Sequence, residues 1–161
     1  MEPIVSTIDI ARAPDDVFRF ATDPTRFAEW QHDVVQVRAA GPGPLDVGSR
    51  FTTVRRIGGV ERTLLQEITE VSPPTRWSAR SIEGPVRAGA SITIEALDGG
   101  SRSRVTFALE FDGHGIGVPL LPLIRRQARK GAPKSYQNLK DLLEGRRWRK
   151  PRQPGTSQPA R

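Results

Sequence analysis

Cysteine is absent from the 161-residue chain, and histidine occurs only twice. Without cysteine the chain has no disulfide, no thiolate nucleophile and no Cys-ligated metal. His32 and His114 are isolated, with no second histidine at the spacing of a metal-binding motif. We therefore expect no metal and no cofactor. The absence of cysteine also favours a reducing, cytoplasmic environment.

Long apolar runs and familiar catalytic motifs are absent as well. No apolar run approaches the ~20 residues that a membrane-spanning helix needs. The start, Met1-Glu2-Pro3-Ile4, lacks the basic and then apolar order of a signal peptide. The chain has no Gly-x-Ser-x-Gly element and no phosphate-binding glycine loop. We expect one domain with no transmembrane segment and no catalytic constellation that the sequence reveals.

Charge is concentrated at one end of the chain. Lys and Arg number 25 against 18 Asp and Glu, a formal net charge of +7. Six of the basic residues lie within 145–161, which contains no acid, so 19 basic and 18 acidic residues remain in the body. This segment is also rich in Pro and Gly, with Trp148 as its one large apolar residue. We predict an ordered domain over residues 1–144 and a disordered basic tail over 145–161.

The body of the chain has the pattern of a meander of strands that ends in a long helix. After the first strand, Pro14, Asp15 and Asp16 suit the start of a short helix, and a second short helix ends at Trp30. Gly58-Gly59 is a strong signal for a two-residue hairpin, and such connections favour antiparallel pairing. The predicted strands cover residues 4–11, 33–40, 49–57, 60–71, 75–82, 87–97 and 102–111, and the predicted helix covers 118–144.

The middle of the predicted long helix is unusual because residues 127–135 include no large aliphatic side chain. Pro133 also removes an amide and clashes with the carbonyl four residues earlier. We expect the helix to kink or split near Gly131. Small and polar residues facing the sheet would leave a cavity or a mouth, and the alternative is a plain helix break with no role in a pocket.

The segment Ile8 to Phe18, with the helix-breaking Thr22-Asp23-Pro24 and the run to Trp30, resembles the START-like (helix-grip, SRPBCC) superfamily and its polyketide cyclase/dehydrase-like branch. The resemblance covers about residues 3–144. It implies an α+β helix-grip fold, in which a curved seven-stranded antiparallel sheet, with two short helices after the first strand, wraps a long C-terminal helix. It also implies an apolar cavity for a small hydrophobic ligand.

Strand parity then indicates which side chains would face that cavity. Phe51, Thr53 and Arg55 share one face of a strand, so Arg55 points inward if Phe51 does. An inward arginine needs an anionic partner, such as a ligand carboxylate, whereas an Arg55 at the sheet rim would reach water. Trp30 and Trp77 are either cavity walls or ordinary core residues. The candidate ligand-binding residues are Trp30, Phe51, Thr53, Arg55, Leu65, Trp77, Ala79, Ala90, Ile92, Phe107, Leu123 and Gln127.

Three classes of function remain open from the sequence. The first is binding or carrying of a lipid, isoprenoid or polyketide-like molecule in an internal cavity. The second is a metal-free cyclase, dehydratase or aromatase that uses polar residues of the cavity, although no catalytic residue is assigned. The third is an interaction protein whose basic tail contacts RNA, an anionic membrane or another protein. A purely solubilising tail is the alternative to that third class.

If the tail acts as an electrostatic handle, we expect weak binding to anionic vesicles or RNA that falls steeply with added salt. Truncation after Glu144 is then expected to abolish this binding while leaving uptake of an apolar ligand unchanged. Vesicle co-sedimentation across a salt series measures the first effect, and a fluorescent apolar probe measures the second. Loss of probe binding on truncation would show that the tail and the cavity are not separate.

Overall fold

The structure is a computed structural model that describes residues 2–39 and 45–145. The predicted basic tail lies outside the described residues except for Gly145, which follows the last helix.

Seven antiparallel strands form one curved sheet, and a long helix packs across one of its faces. The strands run in the order β1-β7-β6-β5-β4-β3-β2, so the α+β helix-grip architecture is confirmed. Each strand boundary agrees with its predicted position to within two residues. The strands are β1 Ile4–Ile10, β2 Val34–Ala39, β3 Arg50–Ile57, β4 Val60–Ser72, β5 Arg76–Ser81, β6 Val86–Leu97 and β7 Arg102–Gly113, and the helices are α1 Pro14–Ala21, α2 Phe27–Trp30 and α3 Leu121–Leu143.

The two short helices close one end of the sheet. In α1 the proline and two acids occupy the first turn, and Val17, Phe18 and Ala21 form its buried stripe. A 3₁₀ turn follows, in which the Asp23 side chain accepts a hydrogen bond from the backbone N–H of Thr25 at 3.0 Å. This cap sets the direction in which α2 leaves the turn.

The ring of Phe27, on α2, is the centre of the aromatic core. Its centroid lies 5.8–5.9 Å from those of Trp30, Phe51 and Trp77, in edge-to-face geometry each time. Such aromatic pairs add about 0.5–1.5 kcal/mol each beyond the area they bury. The cluster therefore joins α2 to β3 and to the central strand β5.

The hairpin between β3 and β4 fixes which residues of β4 face the helix. Gly58 and Gly59 both have positive φ, at +59° and +79°, as a two-residue type I′ turn requires. The turn pairs Ile57 with Val60 and consequently places Leu65 opposite Thr52. Directly opposed residues share a face of the sheet, so Leu65 lies on the face that turns away from α3. The predicted inward position of Leu65 is therefore wrong.

The long helix is continuous, so the predicted split near Gly131 is wrong. It passes through Pro133 without a break and ends at Leu143. Pro133 is exposed, and the carbonyl of Arg129 that it leaves without an amide partner is also on an exposed residue and can bond water. The helix starts later than predicted because a 3₁₀ turn, Gly115–Leu120, precedes it.

That 3₁₀ turn is fixed against the hairpin between β5 and β6 by close backbone contact. A Cβ atom on Gly117 would clash with the carbonyl oxygen of Pro85, and one on Gly113 would lie 2.8 Å from the Cα of Val118. The backbone N–H of His114 also donates to the Pro85 carbonyl at 2.7 Å. Glycine is required at 113 and 117 because any side chain there would push the turn off the sheet.

A second glycine contact seats α3 against the loop after α2. A Cβ atom on Gly131 would lie 2.5 Å from Cε1 of His32. The Oγ of Ser135, one helical turn later, accepts the backbone N–H of His32 at 3.1 Å and lies 3.1 Å from its Nδ1. The exposed His32 therefore packs on α3 because Gly131 leaves room for its ring and the hydroxyl of Ser135 hydrogen-bonds it.

We expect Gly131→Ala and His32→Ala to be strongly non-additive. Alanine in a helix interior usually stabilises by about 0.5–1 kcal/mol over glycine. In the native background the new methyl group displaces the His32 ring and its hydrogen bonds, each worth about 1 kcal/mol, so no net gain in the free energy of unfolding is expected. In the His32→Ala background, Gly131→Ala is expected to raise the free energy of unfolding by the full amount. Urea unfolding of the four proteins gives the coupling.

The same cycle with His114→Ala serves as the control, because the heavy atoms nearest a Cβ on Gly131 all belong to His32. That cycle is expected to be additive. Additivity in the His32 cycle would show that the two residues are not in contact.

Candidate functional site

A cavity of about 230 Å³ lies between the sheet and α3. Its walls come from α2 and the loop after it, from strands β3 to β7, and from α3. Most of the lining surface is apolar, with the rings of Trp30, Trp77 and Phe107 and the aliphatic chains of Leu64 and Ile124 among its walls.

The helix leaves room for the cavity because its facing residues are small. Ala128, Gly131, Ala132 and Ser135 all line the cavity, together with Gln127. These residues belong to the stretch in which the sequence lacks large aliphatic side chains. Larger side chains at the same positions would fill the space between helix and sheet.

The cavity brings together seven of the twelve candidate residues, and the other five lie elsewhere. Lining positions are held by Trp30, Arg55, Trp77, Ala90, Ile92, Phe107 and Gln127. Residues outside the lining are Phe51, Thr53, Leu65, Ala79 and Leu123.

Packing explains why those five residues do not line the cavity. Phe51 and Ala79 are buried in the core cluster. Thr53 is also buried, and its hydroxyl donates to Oε1 of Gln66 at 2.9 Å, so the glutamine, not the threonine, reaches the cavity. Leu65 faces the other side of the sheet. Leu123 is 57% exposed, because the inward side of that helical turn is taken by its neighbours.

Arg55 points inward, and its anionic partner belongs to the chain itself. Its Nη1 donates to both carboxylate oxygens of Asp33 at 3.1 Å, and its Nη2 donates to Oε1 of Gln31 at 2.7 Å. The side chains of Arg55 and Asp33 are 19% and 25% exposed. A ligand carboxylate is therefore not needed to satisfy the guanidinium, which remains a donor at the edge of the cavity.

Tyr136 is one of the cavity residues that sequence reasoning missed. Its ring stacks on Phe107 with the centroids 3.8 Å apart and the planes 7° apart. Burial raises the pKa of the Tyr136 hydroxyl, with a smaller opposing effect from the charge of Arg55 and a further increase from Asp33. The hydroxyl therefore keeps its proton, and can donate a hydrogen bond, across the physiological pH range. We define Gln31, Asp33, Arg55 and Tyr136 as the polar cluster of the cavity.

One wall residue has an unused hydrogen-bond donor. Trp30 is buried, and within the described part of the chain its indole N–H has no hydrogen-bond partner. Leaving a buried donor unpaired costs about 1–3 kcal/mol. A ligand with an acceptor atom beside Trp30 would recover part of that free energy.

No group of three or more His, Asp or Glu side chains that could hold a metal ion occurs in residues 2–39 and 45–145. In the same residues, no helix is both long and apolar enough to cross a membrane.

The chain belongs to the family described as polyketide cyclase / dehydrase and lipid transport, whose model matches residues 1–144. No curated protein matches it. Among solved structures, it is similar to the Zhui aromatase/cyclase from Streptomyces sp. R1128, with a TM-score of 0.75 at 13% identity over 88% of this chain and 93% of that one. A START superfamily protein from Mycobacterium smegmatis gives a TM-score of 0.71 at 10% identity over 90% of this chain and 99% of that one.

The di-domain ARO/CYC BexL from the BE-7585A biosynthetic pathway is also similar, with a TM-score of 0.70 at 17% identity. The match covers 89% of this chain and 47% of that one, so the chain spans about half the length of the di-domain protein. At these identities the solved structures support a START-like fold and nothing beyond the fold.

We expect Tyr136 to remain protonated in the native protein at a pH that ionises the unfolded chain. It is the one tyrosine of the sequence, so tyrosinate absorbance reports on it alone. Burial raises the pKa of Tyr136 in the folded protein above the ordinary value of 10.0, so the unfolded chain loses this proton first. The contribution of the protonated hydroxyl to the free energy of unfolding is therefore fully present below about pH 10 and is lost as the pH rises through the folded pKa. Absorbance titration of native and urea-unfolded protein measures the difference.

Tyr136→Phe is expected to remove the corresponding alkaline loss of stability. A native hydroxyl that titrates near its ordinary pKa would contradict the burial of Tyr136.

Proposed function

We propose that the protein binds and carries a small, mainly apolar molecule that has one polar group, held in the cavity between the sheet and α3. The observation that carries this proposal is the contrast between the apolar walls and the polar cluster. Burial of the apolar part supplies the binding free energy, at roughly 25 cal/mol per Å² before ordering costs. The donors of Arg55 and Tyr136 orient a carbonyl or hydroxyl oxygen.

The volume of the cavity restricts the size of the ligand. Pockets for drug-sized ligands measure ~300–1,000 Å³, and this cavity is smaller, at about 230 Å³. A molecule of one or two rings, or a short isoprenoid, fits this volume better than a lipid with two acyl chains. Within the lipid, isoprenoid and polyketide-like range, we therefore favour the compact aromatic or isoprenoid end.

The second candidate is a metal-free cyclase or dehydratase, and the polar cluster is the observation that favours it. A protonated Tyr136 beside Arg55 could hold a ketone oxygen as negative charge develops on it. His32 also lines the cavity, and an imidazole side chain can act as a general base. Asp33 has both oxygens on Arg55, so it is less available for proton transfer.

Two further features of the protein remain proposals. A cytoplasmic location is supported by the absence of cysteine. A contact of residues 145–161 with an anionic membrane, RNA or a protein is supported by the six basic residues of that segment.

The location of the binding site is tested by Ala90→Trp, which fills the cavity from β6. Uptake of 1-naphthol, followed by its fluorescence, is expected to be lost. Ala96→Trp is the matched control, because Ala96 is on the same strand but exposed, and its binding is expected to be unchanged. Equal binding by both variants, with native circular dichroism, would reject the cavity as the site.

The role of the polar cluster is tested by Tyr136→Phe, which keeps the stacked ring and removes only the hydroxyl. One neutral hydrogen bond is worth about 0.5–1.5 kcal/mol, so we expect about two- to twelvefold weaker binding of 1-naphthol. Naphthalene, which has no oxygen, is expected to bind both proteins equally. An equal loss for both probes would mean that the variant has altered the cavity in general.

Native mass spectrometry of the freshly purified protein distinguishes the carrier from the enzyme. A co-purifying molecule that stays unchanged on incubation supports the carrier. A bound polyketide-like molecule that is converted to a product lighter by one water supports the cyclase or dehydratase.

A further inference from the structure

The segment between β7 and α3 exposes an unusual number of apolar side chains. Ile116, Val118, Leu120 and Leu123 are 82%, 52%, 40% and 57% exposed. They account for four of the seven large hydrophobic residues that are exposed in the described part of the chain. We define these four residues as the apolar ridge.

A row of cations continues from the ridge along the outer face of α3. Arg126, Lys130 and Lys134 follow Leu123 at spacings of three, four and four residues, which places all of them on one helical face. All three are exposed. From Gly113 to Lys140 the sequence contains no Asp or Glu, so no acid on this helical segment neutralises the row.

From this arrangement we propose that the apolar ridge and the cationic row form one docking surface for an anionic lipid membrane. Aliphatic side chains at the tip enter the boundary between head groups and acyl chains, and the lysines and arginines beside them meet the lipid phosphates. The surface consists of residues 116–134, so it predicts that part of the vesicle binding survives truncation after Glu144, unlike a tail that acts alone. Its assignment does not depend on what the cavity binds.

The side chains of the surface favour a membrane over a nucleic acid. Single-stranded RNA is usually held by aromatic stacking beside cations, and residues 112–135 contain no Phe, Tyr or Trp. Four exposed aliphatic side chains have no apolar layer to enter on a nucleic acid, whereas a bilayer provides one. The charge of the cationic row is complementary to phosphatidylglycerol or phosphatidylserine head groups.

Insertion of the ridge is tested with a single labelled cysteine in the full chain. Because the chain has no cysteine, Ile116→Cys carries the only thiol and takes one environment-sensitive NBD label. Vesicles of phosphatidylcholine with phosphatidylglycerol are expected to shift its emission to the blue and brighten it, and phosphatidylcholine alone is expected to do so less. Val47→Cys is the matched control, since Val47 is 59% exposed on a different loop, and no change is expected there.

An unchanged emission at position 116, or equal changes at both positions, would overturn the proposal. A change at 116 that RNA produces and vesicles do not would assign the surface to nucleic acid and would overturn it too.

The contributions of ridge and row are separated by co-sedimentation of full-length variants with the same vesicles. We expect about tenfold weaker binding for the pair Leu120→Ser and Leu123→Ser, and for the pair Arg126→Glu and Lys130→Glu. The controls make the same changes at other exposed positions and are expected to bind like the unaltered protein. They are the pair Val5→Ser and Val47→Ser, and the pair Arg62→Glu and Arg80→Glu.

All of these variants keep residues 146–161. Unreduced binding by the ridge and row variants would therefore mean that the tail alone holds the vesicles, and the proposal would be wrong.

Discussion

The position of α3 against the sheet determines the cavity and the surfaces through which this protein can bind other molecules. The helix must lie close enough for Tyr136 to stack on Phe107 at 3.8 Å, yet leave about 230 Å³ between its middle turns and the strands. Small residues on its inner face meet both demands, because they allow close approach at one end and empty space beside it. Gly131 and Ser135 then fix the helix against His32. Cavity, polar cluster and outer surface all follow from this single placement.

The fold was predictable because turn chemistry and alternation are local signals. Each strand was bounded by glycines, prolines or a short polar turn, and each was found within two residues of its expected limits. Even the error at Leu65 was avoidable from the sequence. The two-residue turn at Gly58-Gly59 fixes the register of β4 against β3, and pairing from that turn places Leu64 and Gln66, not Leu65, on the inner face.

The chemistry of the cavity was less predictable because it depends on side chains distant in sequence. Strand parity left Arg55 either inward or at the sheet rim, and its contact with Asp33 could not be read from the sequence because it joins different elements 22 residues apart. Tyr136 lies in a stretch of small residues, where a lone tyrosine carries no pattern of its own. Leu123 fits a helical stripe by spacing, but Leu121 and Ile124 occupy the inward side of that turn, and Leu123 is exposed. Periodicity locates a face but does not reveal which neighbour covers it.

The close contact of Gly117 with Pro85 lowers the conformational entropy that the apolar ridge loses when it binds a partner. Flexible loops lose about 1–2 kcal/mol of backbone entropy for every residue that becomes ordered on binding. Here the 3₁₀ turn is already held against the sheet by a backbone contact that admits no side chain and by a hydrogen bond to the same carbonyl. Its aliphatic side chains are thus presented on a preorganised support, so an encounter requires little folding before the apolar contact forms.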